Sequence, residues 1–226
     1  MIITIDGPAG SGKSTVARKL AARLGIAYLD TGAMYRAIGH AALERGVDCT
    51  DSEALAGVAR SVDLEVDCGP THTRVKVDGR DVTEAIRTMA VSVASSSVAK
   101  QEGIRNLLVE HQRRIGAKLG SFVTEGRDQG SVVFPSADAK FVLDAAVEKR
   151  AERRRQEMLA DGEDVSFEEV LENLNRRDDV DCRQWVPLLK PEAAILIDTT
   201  HMSLKEVVDR LESEIKSICT RGSESG

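Results

Sequence analysis

The stretch Gly7-Pro8-Ala9-Gly10-Ser11-Gly12-Lys13-Ser14 fits G-x-x-x-x-G-K-[ST] at every fixed position. Glycines at those places let the backbone wrap a phosphate with successive N–H groups turned inward. A helix beginning at Lys13 would add its unpaired N-terminal N–H groups and the positive end of its dipole. Lys13 is then placed to reach the β- and γ-phosphates of ATP, and the Ser14 hydroxyl to ligate Mg²⁺. With Thr15, the residues from Gly7 to Ser14 make up the expected ATP cradle. A ligand-free flexible glycine loop would require neither the lysine nor the serine.

Transfer between two phosphates gathers negative charge, and arginine is the preferred neutraliser because it stays charged and grips phosphate oxygens bidentately. Four groups of arginines stand out. Asp30-Thr-Gly-Ala-Met-Tyr-Arg36 puts Tyr35 and Arg36 one turn into a helix for which Thr31 is a plausible N-cap. Glu125-Gly-Arg-Asp-Gln-Gly130 follows an apolar run, and the glycines around Arg127 and Asp128 suit close approach of backbone to a ligand. Arg150, Arg153, Arg154 and Arg155 crowd one segment of an acidic chain. Spacings of three and four put Arg150, Arg153 and Arg154 on one helix face, as a lid over ATP would need. Arg176-Arg-Asp-Asp-Val-Asp-Cys-Arg183 alternates charge, as either a salt-bridge network or a ligand site would.

The elements that must carry these groups follow from pattern. Ile2–Asp6 reads as a buried strand and residues 13–24 as a helix, followed by a strand at 26–29 and a helix at 33–45. Leu64–Asp67 and Thr73–Asp78 alternate apolar and polar residues around Cys68-Gly-Pro-Thr, which predicts a hairpin with one wet face. Helical signals cover 83–119, short strands begin at Phe122 and Lys140, and a helix spans 147–160. Ser166 with Glu169 forms a capping box for another helix. Ala194–Asp198 is the last strand, 203–218 an amphipathic closing helix, and Thr220–Gly226 a polar tail expected to be disordered. The alternation predicts an α/β fold: a mostly parallel sheet flanked by helices, with an inserted lobe containing a small antiparallel sheet, and a lid.

Bulk properties narrow the function. The 226 residues carry a net charge of −6 and only 3% aromatics, which disfavours nucleic-acid binding. No apolar run approaches the roughly 20 residues of a membrane span, and no signal peptide is recognised, so a cytoplasmic location is expected. Cys49, Cys68, Cys182 and Cys219 are scattered and read as free thiols. A GTPase would carry an N-K-x-D motif, which is absent, and a motor an apolar strand ending in paired Asp-Glu. A nucleotide sensor has no use for Arg36, Arg127 and the lid cluster together. The remaining class is a small-molecule kinase, whose acceptor these features leave open, UMP, shikimate and dephospho-CoA among the alternatives.

Over residues 2–215 the chain resembles the bacterial cytidylate kinases. The likeness rests on the glycine-rich start, Leu29-Asp-Thr-Gly-Ala-Met-Tyr-Arg36, Val82-Thr-Glu-Ala-Ile-Arg-Thr88, Gly126-Arg-Asp-Gln-Gly-Ser-Val-Val-Phe-Pro135, Lys140-Phe-Val-Leu-Asp144 and Arg177-Asp-Asp-Val-Asp181. It implies one kinase domain with a core at 1–35, 119–150 and 184–219, a monophosphate-binding lobe at about 36–118 with an insertion at about 60–85, and a lid at about 150–183. It implies transfer of the γ-phosphoryl group of ATP to CMP or dCMP by a monomer. Thr31, Tyr35, Arg36, Ser96, Arg105, Arg127, Asp128, Arg177, Asp181 and Arg183 would bind the acceptor. Among these, Arg36 and Arg127 would take its phosphate, and Ser96, Arg105 and Asp128 would read the cytosine edge. Lys13, Arg127, Arg153 and Arg177 would be catalytic, with Arg150 and Arg154 on ATP and Ser14 on Mg²⁺. The chain departs from the family pattern in the short Asp181–Arg183 spacing and in Gln129, where an apolar residue is more usual. Two roles are open to Gln129: tuning base recognition, or facing solvent.

Overall fold

A computed structural model describes residues 1–160, 162–185 and 194–223. Contacts divide the chain into two compact units, Met1–Leu24 with Val123–Gly226, and Gly25–Phe122.

The first unit is built on parallel strands. β1 (Ile2–Asp6) pairs in parallel with β7 (Ala139–Asp144), setting Ile3 opposite Ala139 and Ile5 opposite Phe141. β7 pairs in parallel with β8 (Ile195–Asp198), Leu143 opposite Ile197. β6 (Phe122–Gly126) lies on the other side of β1. Ile3, Ile5, Val123, Phe141 and Leu143 are fully buried, as near-continuous apolar runs in a covered parallel sheet should be. α1 (Lys13–Leu24) packs against α8 (Leu204–Ser223), whose Val207, Val208, Leu211 and Ile215 form its buried stripe. α8 continues the closing helix past residue 218, so the expected disordered tail is helical through Ser223.

α6 (Val147–Ala160) and α7 (Phe167–Trp185) pair over a small core of Ala151, Met158, Val170 and Leu174, which also takes in Ala9 of the glycine-rich loop. The capping box forms as the spacing predicts. The Glu169 carboxylate accepts from Ser166 N at 3.0 Å, and Ser166 Oγ accepts from Glu169 N at 3.2 Å.

The second unit contains β2 (Ala27–Asp30), α2 (Thr31–Glu44), α3 (Ser52–Ser61), α4 (Met89–Lys100) and α5 (Glu102–Leu119). Its antiparallel sheet comprises β3 (Leu64–Cys68), β4 (Thr73–Val77) and β5 (Arg80–Asp81). In β4, Thr73, Val75 and Val77 point inward while Arg74 and Lys76 face solvent, which is the alternation read in the sequence. Asp78 and Gly79 both have positive φ, 51° and 78°, and make the tight turn into β5. α2 and α4 approach closely: a β-carbon on Gly39 would lie 3.0 Å from Ser95 N. The sequence reading contains no helix at 52–61; Asp51 caps α3 by accepting from Glu53 N and Ala54 N, both at 3.0 Å.

Candidate active site

The glycine-rich loop joins β1 to α1, which begins at Lys13. Gly7 (φ 154°) admits no side chain, because a β-carbon there would lie 2.2 Å from Leu143 O. Gly10 and Gly12 take φ values of 73° and 82°, the left-handed region that favours glycine. The loop holds a buried cation: Lys13 Nζ donates to Pro8 O at 3.2 Å and lies 3.9 Å from Glu125 Oε2. Ser14 Oγ donates to Glu125 Oε1 at 2.9 Å. Ser11 Oγ is buried with no hydrogen-bond partner among the described residues, an orphaned polar atom in the loop.

Glu125, given no role of its own in the sequence motif Glu125–Gly130, is brought by the fold into contact with the glycine-rich loop. It is the next-to-last residue of β6 and brings a buried carboxylate against Ser14 and Lys13. Its signal in the sequence is an acid after the run Phe122-Val-Thr, without the paired Asp-Glu of a motor. Ser14 and Glu125 together offer the hard oxygen donors that Mg²⁺ prefers.

The segment after β6 is fixed from below. Asp6 is fully buried at the end of β1, with Oδ1 accepting from Gln129 N at 2.9 Å and Oδ2 from Gly130 N at 2.8 Å. Burial pushes its carboxyl up to about 6 against the lowering effect of these two donors, and the charge of Asp128 adds to the rise. Gln129–Val133 forms one π-helical turn in which Val133 N donates to Asp128 O at 3.1 Å and Phe134 N to Gln129 O at 2.7 Å. Arg127 and Asp128 sit at its entrance, Asp128 buried and Arg127 half-buried. Gln129 is 1% exposed, so it does not face solvent, and its Oε1 accepts from the equally buried Thr124 Oγ1 at 3.0 Å.

Arg150, Arg153 and Arg154, expected to share a helix face, and the adjoining Arg155 are directed to separate partners. Arg150 is buried; its Nε donates to Ala145 O at 3.0 Å, Nη1 to Ala9 O at 2.9 Å, and Nη1 and Nη2 to the Asp178 carboxylate at 3.2 and 2.5 Å. Arg153 donates to Thr199 Oγ1 at 3.1 Å and Thr199 O at 2.6 Å. Arg154 pairs with Glu157 at 3.2 Å, and Arg155 Nε donates to Val165 O at 3.0 Å. Beside the loop opens a cavity of about 420 Å³ whose lining includes Gly12, Thr15, Val16, Arg153, Met202 and Val207. A mostly apolar wall with a few polar groups suits a flat heteroaromatic ring next to a phosphate cradle.

In the second unit, Thr31, Tyr35 and Arg36 lie on α2, Ser96 on α4 and Arg105 on α5, and these three helices pack on one another. Asp30, not Thr31, caps α2: its Oδ1 accepts from Ala33 N at 2.9 Å. Asp30 Oδ2 accepts from Arg36 Nη2 at 2.9 Å. Thr31 is the first helical residue and is buried. Arg177, Asp181 and Arg183 fall on α7, but their side chains lie outside the described residues.

A left-handed glycine loop at the end of a parallel strand, a lysine within it and a serine–carboxylate pair beside it define a P-loop nucleotide-binding protein. The chain belongs to the cytidylate kinase family, whose sequence model matches residues 3–217. It is 47% identical over 215 residues to a cytidylate kinase of Caldanaerobacter subterraneus subsp. tengcongensis, covering 95% of this chain and 94% of that one. It is 46% identical over 210 residues to a cytidylate kinase of Bacillus subtilis, covering 92% and 93%. Among solved structures, an uncharacterized protein from Eubacterium ventriosum shares the fold with a TM-score of 0.51 at 16% identity, over 96% of this chain and 98% of that one. Among the described residues, no helix is long and apolar enough to cross a membrane.

Proposed function

We propose that this protein transfers the γ-phosphoryl group of ATP to CMP or dCMP, giving ADP and the corresponding diphosphate. The observation that supports this most is the placement of Lys13, Ser14 and Glu125 around the glycine-rich loop, in a chain of the cytidylate kinase family. The acceptor phosphate is already anionic, so the protein need not supply a general base. Its work is positioning, charge neutralisation and exclusion of water.

The loop amides and Lys13 hold the β- and γ-phosphates, and the cavity beside Val16, Met202 and Val207 takes the adenine. Ser14 and Glu125 would hold Mg²⁺, which when bound supplies charge neutralisation on the phosphates. Arg153 and Arg154 serve the phosphates from the lid. Arg150 ties the glycine-rich loop to α7, since its guanidinium already bonds Ala9 O and Asp178. Arg36 and Arg127 receive the acceptor phosphate. Asp128 accepts from the cytosine amino group, and Ser96 and Arg105 donate to the ring acceptors. Arg177, Asp181 and Arg183 contact sugar and phosphate. The protein works as a cytoplasmic monomer on small nucleotides, without nucleic acid or membrane.

A coupled ADP-release assay offering CMP, dCMP, UMP, AMP and shikimate separately tests the reading. Turnover confined to CMP and dCMP is expected; turnover with another acceptor alone would overturn the assigned substrate. Lys13→Ala should lower kcat by at least about 10²–10³-fold while CMP binding, read by calorimetry, is retained. Unchanged kcat would remove Lys13 from the mechanism.

A further inference from the structure

The inserted antiparallel sheet contains none of the residues assigned to the acceptor, yet its first β4 residue is bonded to the strand that leads into Arg36. Thr73 is buried and opens β4 opposite Cys68. Its Oγ1 donates to Tyr28 O at 2.7 Å and accepts from Asp30 N at 3.0 Å. The turn between β3 and β4 adds a third bond, Tyr28 N to Gly69 O at 3.0 Å, and the turn is itself closed by Gly69 N to His72 O at 2.9 Å. The end of β2 is thus held through Tyr28 N, Tyr28 O and Asp30 N, two of them by one hydroxyl. Asp30 then divides its carboxylate between the α2 N-terminus and the Arg36 guanidinium. A chain of bonds therefore runs from Thr73 through the Asp30 backbone and carboxylate to Arg36, all within one compact unit.

We infer that Thr73 is a positioning residue for acceptor binding: the inserted sheet, through the Thr73 hydroxyl, fixes the β2–α2 corner and with it the direction of the Arg36 guanidinium. The physical reason is geometric. A guanidinium grips phosphate bidentately only in a fixed orientation, and Arg36 takes its orientation from a carboxylate only as well fixed as the backbone bearing it. Losing the hydroxyl leaves Tyr28 O and Asp30 N without that partner in a buried place, which favours a shifted corner over the observed one. This inference rests on the reading of Arg36 as a ligand of the acceptor phosphate.

The test compares Thr73→Val, which keeps the shape and removes the hydroxyl, with Thr73→Ser, which restores it. Thr73→Val should raise KM for CMP about tenfold, the scale of one hydrogen bond to a fixed site, with KM for ATP unchanged. Thr73→Ser should return KM for CMP to near the wild-type value, which a loss of packing alone would not do. An unaltered KM for CMP in folded Thr73→Val overturns the inference. Arg36→Ala separates the two claims. If it raises KM for CMP and Thr73→Val does not, the acceptor reading stands and the positioning role falls. If it leaves KM for CMP unchanged, the acceptor reading falls and takes the positioning role with it. Added to Arg36→Ala, Thr73→Val should give no further rise; a full additive rise means Thr73 does not act through Arg36. Should Thr73→Val fail to fold, amide hydrogen exchange of the wild-type protein decides. Protection of Asp30 N comparable to that of the β4 amides is expected, and fast exchange at Asp30 beside a protected β4 would overturn the clamp.

Discussion

Asp6 closes β1 in the first unit and Asp30 closes β2 in the second; both are buried and both accept from backbone N–H groups. Their partners differ. Asp6 reaches 123 and 124 residues along the chain to Gln129 and Gly130, and its donors are neutral amides. Asp30 takes an amide three residues on and a guanidinium six residues on. Asp6 has no directly bonded cation; its two amides and the weaker, more distant charge of Arg127 do not offset burial, and its carboxyl rises to about 6. Asp30 is matched by a cation. One aspartate is a long-range anchor that fixes where a loop lies. The other is a local cap that also sets where an arginine points.

The comparison breaks first at the anchor. Asp6→Ala removes the carboxylate acceptor of two buried amides, a loss of about 1–3 kcal/mol each, and urea unfolding should show the larger stability loss of the two sites. Asp30→Ala should cost about 1 kcal/mol as a lost N-cap, but raise KM for CMP because Arg36 loses its guide. Equal stability losses, or an unchanged KM for CMP in Asp30→Ala, would erase the distinction. The smallest effect is in pH. A carboxyl raised in the folded state contributes stability that is fully present below its ordinary value of 3.8 and is lost as pH rises through about 6. Relative to Asp6→Asn, the wild-type protein should therefore lose stability across that window. A pH-independent difference would show that Asp6 does not carry a buried charge.

Legibility in the sequence followed the reach of the interactions. The P-loop, the β3–β4 alternation and the Ser166–Glu169 capping box are encoded within a few residues, and the structure realises each of them. α3 was not legible because its buried stripe is only Leu55 and Val58, too short to establish a helical period. Its capping Asp51 is equally common in turns. Glu125 and Gln129 depend on residues distant in sequence. Nothing local says that Glu125 meets Ser14, or that Asp6 pins the turn which buries Gln129. At the α2 start Asp30 and Thr31 both satisfy the capping preference, and only the geometry shows the carboxylate at Ala33 N.

The Arg150–Asp178 pair has a consequence for ionic strength. Arg150 is almost fully enclosed, whereas the Arg154–Glu157 pair one turn further along α6 is exposed. Mobile ions screen exposed charges over about 8–10 Å at physiological salt but penetrate little to an enclosed pair. Added salt should thus loosen the outer surface of α6 while leaving its attachment to the glycine-rich loop intact, so the helix's foundation and its surface answer differently to the same electrolyte.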